Sequence, residues 1–129
     1  NLNKALSVGE VLRDKLSNLN ASILGTTNDP FYNAPIVVVV LADSNVRTYI
    51  EDGSLVMGNL MNAAHSVGVS SCWIHRAKEM FETEEGKEIL KEWGLPESYI
   101  GIGNCILGYP VDKTDVLPKP RKENYVIYK

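Results

Sequence analysis

The spacing of apolar residues along the chain predicts three helices. In residues 4–23 the apolar positions recur every three or four residues, at Leu12, Leu16, Leu19 and Ile23. Residues 83–93 show a second amphipathic pattern, which Thr83 can cap at its start and which Gly94 and Pro96 stop. The third pattern, at residues 52–67, differs from the other two because it carries almost no charge.

The central helix has two faces, and both are uncharged. Between Asp52 and Arg76 no side chain is formally charged. One arc is apolar and is predicted to face the core: Val56, Met57, Leu60, Met61, Ala63, Ala64 and Val67. The opposite arc is polar or small, whereas a solvated face would carry Lys, Glu or Arg, so we expect it to be covered as well. The cover could come from the rest of the chain or from a second subunit, which Gly58 and Ala64 would allow to approach closely.

Four apolar runs predict strands. Residues 34–42 form a continuous β-branched run, which predicts a strand buried on both faces at the centre of the sheet. Residues 71–74 and 99–109 predict two further strands, and helices are expected above and below the sheet. A fourth strand is predicted over residues 124–128, which have no close hairpin partner in the sequence. It would have to pair with a distant strand or with the sheet edge of another chain.

Composition and charge narrow the class of protein. The 129 residues, 44% apolar and 22% charged, predict one soluble globular domain. With a net charge of −3, the chain has no excess of basic residues to neutralise phosphates, which argues against a nucleic-acid-binding surface. The central stretch is not expected to span a membrane, because Asn59, Asn62 and His65 would need partners in hydrocarbon. Cys72 and Cys105 lie in strand-like runs, which favours buried, reduced thiols over a disulfide. Reduced thiols in turn favour a cytoplasmic location.

Two segments carry candidate chemistry. The proline-rich tail over residues 117–122 should be extended, which would put Lys119 and Arg121 on one side, where they could bind a phosphate. The alternative is that this basic run is simply solvated. The turn at residues 72–76 follows a buried strand, and such strand ends commonly meet ligands, although Trp73 could equally be a core residue.

Other common site patterns do not occur in the sequence. The two histidines, His65 and His75, have no spacing with carboxylates or cysteines that would make a metal site, and no Ser-His-Asp signature is present. We interpret His65 as an interior or interface residue. Gly101 and Gly103 do not begin a dinucleotide fingerprint, because position 106 is Ile106 and no helix follows.

Several short motifs, taken in order, resemble the FMN-dependent nitroreductase family. They are Asn33-Ala34-Pro35 before a strand, Asp52-Gly53-Ser54 at the start of a helix that runs to residues 63–68, and the segments at residues 71–76, 106–110 and 119–125. The resemblance covers residues 33–129, and residues 1–32 match only in the placement of a helix.

The resemblance implies an α+β fold, with a three-layer α/β/α sandwich around a mostly antiparallel sheet, in a homodimer that exchanges its C-terminal strands. FMN would lie at the dimer interface. The residues that would contact it are Trp73, Ile74, His75 and Arg76 near the ring, and Lys119 and Arg121 at the phosphate. The flavin would take hydride from NADH or NADPH and reduce a nitroaromatic, quinone or similar small-molecule acceptor in a ping-pong cycle, so no side chain is predicted to be catalytic.

The sequence departs from the family at its start. Family members begin with a segment of the Arg-Arg-Ser-x-Arg type and a Ser-x-x-Asn-x-Gln loop, which both contact FMN, and neither occurs here. We therefore interpret residues 1–129 as a single domain that lacks its N-terminal segment, either because it was removed or because this form is incomplete. The alternative function is a non-catalytic dimeric scaffold that binds flavin or another small ligand.

Overall fold

The computed structural model describes the backbone of residues 2–111 and 119–129, with side chains from residue 12 onward in those ranges. Its elements are α1 (Leu2–Leu24), β1 (Ile36–Asp43), α2 (Tyr49–Ser66), β2 (Ser70–Ile74), α3 (Ala77–Glu82), α4 (Glu84–Glu92) and β3 (Tyr99–Gly108). The three predicted helices and the first three predicted strands are confirmed. Helix α3 was not predicted, because its six residues are too few to show a period.

Strand β3 is the centre of the sheet. The strand order is β1-β3-β2, and both pairs are antiparallel. The prediction that residues 34–42 form the central strand is therefore wrong: β1 lies at an edge of the described sheet, and its first residue, Ile36, is exposed. A continuous apolar run indicates that side chains are covered on both faces, but it does not determine whether the backbone has strands on both sides.

Helices cover the two faces of the sheet, so the predicted three-layer α/β/α arrangement is confirmed. On one face, Met57 of α2 packs with Val40 and Cys105. On the other face, α1, α3, α4 and the loop after α1 form the larger cluster: Leu16, Leu19, Phe31, Met80, Phe81, Ile89, Leu90 and Ile106. Helix α4 begins as predicted, with the Thr83 hydroxyl accepting a hydrogen bond from the N–H of Gly86.

Only one narrow side of α2 is buried. Gly53, Met57 and Ala64 are buried, whereas Val56 and Val67, which were predicted to face the core, are 55% and 72% exposed. The expected cover over the opposite arc is also missing within the described part of this chain, where Leu55 is 67% exposed. The sequence left two possible sources of cover, the rest of the chain and a second subunit. The rest of the described chain does not cover this face of α2.

The predicted strand over residues 124–128 does not form in the single chain. Residues 119–129 have no regular secondary structure, they turn at Glu123 and Asn124, and all of them are exposed. A strand needs an edge to pair with, and no described strand of the chain pairs with this segment. Residues 117 and 118 of the predicted extended tail lie outside the described residues, and strand exchange between subunits stays a prediction.

The two cysteines differ in burial. Both are free thiols, and Cys105 is fully buried, so burial raises the pKa of its thiol. The prediction that Cys72 is buried is wrong. Cys72 lies opposite Ile106 on the edge strand β2, and its neighbour Trp73 lies opposite Cys105, so the two cysteines point to different faces of the sheet.

The carboxylate of Asp29 fixes the loop after α1 to the helix. It accepts hydrogen bonds from the Arg13 guanidinium, from Ser17 Oγ at 2.6 Å, and from the N–H groups of Phe31 at 2.9 Å and Asn33 at 2.7 Å. Burial by itself would raise the pKa of Asp29, but these hydrogen bonds outweigh it and hold the pKa well below its usual range. The Asp29 carboxylate therefore holds this loop, which lines the cavity described below, against α1.

We expect Asp29→Asn to lower the free energy of unfolding by about 2–4 kcal/mol, because it leaves the partly buried Arg13 guanidinium without its carboxylate partner. Asp14→Asn removes the other carboxylate near Arg13. Because the Asp14 side chain is 70% exposed, this change should lower the free energy of unfolding by less than about 0.5 kcal/mol. Urea unfolding of the three proteins measures both effects, and equal losses in the two variants would contradict this role of Asp29.

The effect of Asp29→Asn should depend on pH in a defined direction. Because the pKa of Asp29 is lowered in the folded protein, its contribution to stability is complete above its ordinary pKa of about 3.9 and is lost as the pH falls below that value. The difference in unfolding free energy between the wild type and Asp29→Asn should therefore be constant near neutral pH and shrink below about pH 4. A difference that grows as the pH falls would contradict the assignment.

Candidate functional site

The candidate site is built around the turn between β2 and α3. Trp73 and Ile74 are half-buried at the end of β2, and His75 and Arg76 follow them as exposed residues. Arg76 has φ +77° and ψ 14°, a left-handed conformation that is uncommon for a residue with a side chain, and it is also the N-cap of α3. The turn thus connects β2 to α3 through only two residues.

A cavity of about 540 Å³ lies beside this turn. All four predicted ring-contacting residues line it: Trp73, Ile74, His75 and Arg76. The opposite wall comes from the end of α1 and the loop after it, including Leu24, Asn28 and Tyr32. The volume lies within the range of small-molecule sites, roughly 300–1,000 Å³.

The edge of β2 contributes backbone groups to the cavity. Within the described sheet β2 pairs with β3 alone, so the N–H and C=O groups along its other edge have no strand partner. Residues 72–74 of this strand line the cavity. The site therefore places apolar side chains beside an edge strand, and a planar ligand with a polar edge would suit such a combination.

The Trp73 side chain belongs partly to the core, so the two alternatives considered for it are not exclusive. Its indole packs over Gly103, where a Cβ atom would lie 2.3 Å from Trp73 Nε1 and 2.8 Å from Met57 Cε. Its ring centroid is 6.1 Å from that of His75. The indole N–H is buried and has no hydrogen-bond partner among the residues that the structure describes.

The predicted phosphate residues are not brought to this cavity. Lys119 and Arg121 are exposed in the tail, and neither lines the cavity. The Arg121 guanidinium instead lies 5.9 Å from the centre of the Tyr125 ring. The cation that lines the cavity is Arg76, whose guanidinium is 3.6 Å from Glu79. The assignment of Lys119 and Arg121 to a phosphate stays a prediction.

The sequence reasoning missed the wall formed by α1 and its loop. Asn20 is fully buried, lines the cavity, and donates from Nδ2 to the carbonyl of His75 at 3.1 Å. Nothing in the sequence marks it, because an asparagine at one position of an amphipathic helix usually indicates a solvated face. Asp29 did have a signal, since an aspartate before a proline often bonds the backbone two residues further on.

Other kinds of site find no support in the described ranges. Among the side chains described, those of residues 12–111 and 119–129, no group of three or more His, Cys, Asp and Glu is arranged to hold a metal ion. No helix in that part of the chain is long and apolar enough to cross a membrane. His65, interpreted as interior or interface, is exposed on α2 in the single chain.

Comparisons with known proteins agree on one family. The model of the nitroreductase family matches residues 3–109. A protein of Archaeoglobus fulgidus, provisionally named as an NADH dehydrogenase/NAD(P)H nitroreductase, is 30% identical over 111 residues. This match covers 81% of the chain but only 62% of the Archaeoglobus protein, so the chain spans less than two thirds of that relative.

Solved structures show the same fold. A nitroreductase with bound FMN from Bacteroides fragilis superimposes with a TM-score of 0.75 at 23% identity, over 93% of this chain and 69% of that one. A protein of Bacteroides thetaiotaomicron, provisionally named as an NADH dehydrogenase/NAD(P)H nitroreductase, gives a TM-score of 0.61 at 25% identity, over 90% of this chain and 66% of that one. The architecture described above is thus shared with these two proteins.

The packing of Trp73 against Gly103 yields a test of the site's geometry. Gly103→Ala should displace the indole, because the added methyl group would overlap Trp73 Nε1 and Met57 Cε, and should lower the free energy of unfolding by about 1–3 kcal/mol. In a ¹H–¹⁵N NMR spectrum the indole signal of Trp73 should move. The signal of Trp93, which packs against Phe81 instead, should not.

Gly108→Ala is the matched control on the same strand. Its added methyl group would come no closer than 3.4 Å to Pro35, which is an ordinary contact. Both indole signals should therefore keep their positions in this variant. An unchanged Trp73 signal in Gly103→Ala would contradict the described position of the indole.

Proposed function

This chain belongs to the nitroreductase family, and we propose that it binds FMN beside the β2–α3 turn and acts as a flavin-dependent oxidoreductase. The observation that carries the proposal is the cavity of about 540 Å³ along the unpaired edge of β2, lined by all four turn residues. The FMN in the Bacteroides fragilis structure, whose fold is the same, gives further support.

The cavity wall suits an isoalloxazine ring. Such a ring is flat and largely apolar, with a pyrimidine edge that both donates and accepts hydrogen bonds. Leu24 and Ile74 supply apolar surface, and the free backbone edge of β2 supplies donors and acceptors in a row. Arg76, exposed where the turn meets the cavity, supplies a positive charge.

In this proposal the residues of the chain bind and orient FMN, and none of them takes part in the chemical reaction. Trp73, Ile74, His75 and Arg76 hold the ring, and the described turn presents them to it. Lys119 and Arg121 hold the phosphate, which requires the exposed tail to reach the site. When bound, FMN supplies the chemistry of accepting hydride from NADH or NADPH and passing electrons to a nitroaromatic, quinone or similar acceptor.

The proposal includes a homodimer. The exposed face of α2 carries Leu55, Val56 and Val67 without any charged neighbour between Asp52 and Arg76. Apolar helix faces of this kind are typical of subunit interfaces. The tail ends in exposed Tyr125, Val126, Ile127 and Tyr128, which could pair with the sheet edge of the second subunit.

An alternative is a dimeric scaffold of the same fold that binds flavin or another small ligand without turnover. Within the single chain, the position of Lys119 and Arg121 away from the cavity favours such a scaffold with a ligand other than flavin, because the phosphate of FMN would lack its two predicted cations. The two functions differ in whether NADH or NADPH is oxidised when FMN is bound.

The test of the proposed function is FMN binding followed by turnover. The purified chain with added FMN should show the visible absorption of bound flavin, and the complex should oxidise NADH or NADPH with a quinone or nitroaromatic acceptor. Bound flavin without oxidation would favour the scaffold. If protein at up to millimolar concentration leaves the absorption spectrum and the fluorescence of FMN unchanged, both the oxidoreductase and the flavin-binding scaffold are contradicted.

The tail cations can be tested in the same assay. Replacing Lys119 and Arg121 together by alanine should weaken FMN binding at least about tenfold, since each removes a charge-assisted hydrogen bond to the phosphate. Lys122→Ala is the control, because an extended segment turns its side chain to the other side. An equal loss of binding free energy per removed charge in the two proteins would indicate a general charge effect and contradict a specific phosphate site.

The proposed dimer can be tested by charge on α2. The wild type should sediment at twice its 14.3 kDa mass, and Leu55→Glu should sediment as a monomer because it buries a carboxylate in the interface. Val46→Glu places the same charge at an exposed position outside α2 and should remain dimeric. A wild-type chain that is monomeric at micromolar concentration would contradict the dimer.

A further inference from the structure

Two buried asparagines converge on the sulfur of Met80 behind the candidate site. Asn20 lies on α1 and Asn104 on β3, and both are fully buried. Each donates from Nδ2 to Met80 Sδ at 3.3 Å, and each has an amide oxygen without a partner among the described residues. A buried amide that is only partly satisfied is unfavourable compared with an apolar side chain of the same volume. Core packing alone therefore does not explain why these positions are polar.

Asn20 differs from Asn104 in one contact. Its Nδ2 also donates to the carbonyl of His75 at 3.1 Å, which joins α1 to the β2–α3 turn across 55 positions of sequence. Asn104 has no hydrogen bond to the turn among the bonds of the described residues. The two side chains are thus matched in type, burial and contact with Met80. They differ in that Asn20 also donates a hydrogen bond to the turn and lines the cavity, which is why hydrogen exchange without a ligand is the deciding measurement.

The contacted carbonyl lies within the turn that joins β2 to α3. The residue after it, Arg76, has the left-handed conformation, which is unfavourable for a residue with a Cβ atom and has to be held by its surroundings. The N–H of Met80 closes the turn from the α3 side by donating to the Arg76 carbonyl at 2.9 Å. Because C=O and N–H point in opposite directions across a peptide plane, a His75 carbonyl held toward α1 directs the N–H of Arg76 away from α1.

We propose that Asn20 is a positioning residue, which fixes the His75–Arg76 peptide and so sets the shape of the cavity wall that the turn presents to a ligand. The inference rests on the proposed function in so far as that ligand is FMN. Asn20 does not react and acts through the turn. Loss of its hydrogen bond should loosen residues 75–78 and weaken ligand binding, while the rest of the fold persists.

The experiment compares Asn20→Leu with Asn104→Leu. Both variants replace a buried amide by an apolar side chain of similar volume and lose the contact with Met80, so their effects on overall stability should be alike. The first measurement is amide hydrogen exchange of residues 75–78 in the protein without FMN. Exchange there should be at least about tenfold faster in Asn20→Leu than in Asn104→Leu, because only the first variant frees the turn.

The second measurement is the dissociation constant for FMN. It should rise about tenfold in Asn20→Leu, as expected for the loss of one hydrogen bond that orders the site, and less than about twofold in Asn104→Leu. Equal exchange at residues 75–78 in the two variants, or equal changes in FMN affinity, would overturn the proposal. Should Asn20→Leu not fold, Asn20→Ser and Asn104→Ser provide the same comparison with smaller side chains.

The two proposals can fail separately. A wild-type chain that does not bind FMN would contradict the proposed function, whereas hydrogen exchange in the protein without FMN would still decide whether Asn20 holds the turn. Conversely, a wild type that binds FMN, together with an Asn20→Leu variant whose turn exchanges no faster than that of Asn104→Leu, would contradict only the role of Asn20.

Discussion

The close packing of glycines on the central strand is the constraint on which the candidate site depends. A Cβ atom at Gly101 would lie 2.2 Å from the carbonyl oxygen of Ala77, and one at Gly103 would lie 2.3 Å from Trp73 Nε1. The pairing with β1 shifts register between these two glycines, at Val40 and Leu41. Because of this irregularity, β3 can accept α3 against one glycine and the Trp73 indole against the other.

This packing explains why the β2–α3 turn has so unusual a backbone. Trp73 and Ala77 are both held against β3, and only three residues connect them. A connection that short has little conformational freedom, and its last residue, Arg76, has a left-handed conformation. These two anchors therefore restrict the surface that the turn presents to the cavity, and in our proposal the hydrogen bond from Asn20 fixes the His75–Arg76 peptide within it.

Much of this architecture could be predicted from the sequence because it is encoded locally. The helices other than α3 follow from the helical periods and from the cap at Thr83, and the three strands follow from apolar runs. The position of the turn after a strand predicted four of the residues that line the cavity. What could not be predicted depends on contacts between distant segments. The strand order depends on which backbone edges meet, Cys72 is exposed because β2 lies at an edge, and Asn20 has a role only through its contact with His75.

The remaining predictions share one premise, which is that a second chain is present. The uncharged face of α2 and the apolar end of the tail are both exposed in the single chain, and the two predicted phosphate cations lie in that same tail. If the tail binds the sheet of a second subunit, Lys119 and Arg121 would reach the cavity of that subunit and not their own. Each proposed site would then be completed by its neighbour, so flavin binding would stabilise the dimer, and dilution to monomers would weaken flavin binding by mass action. The exposure of Lys119 and Arg121 in a single chain is what such a shared site requires.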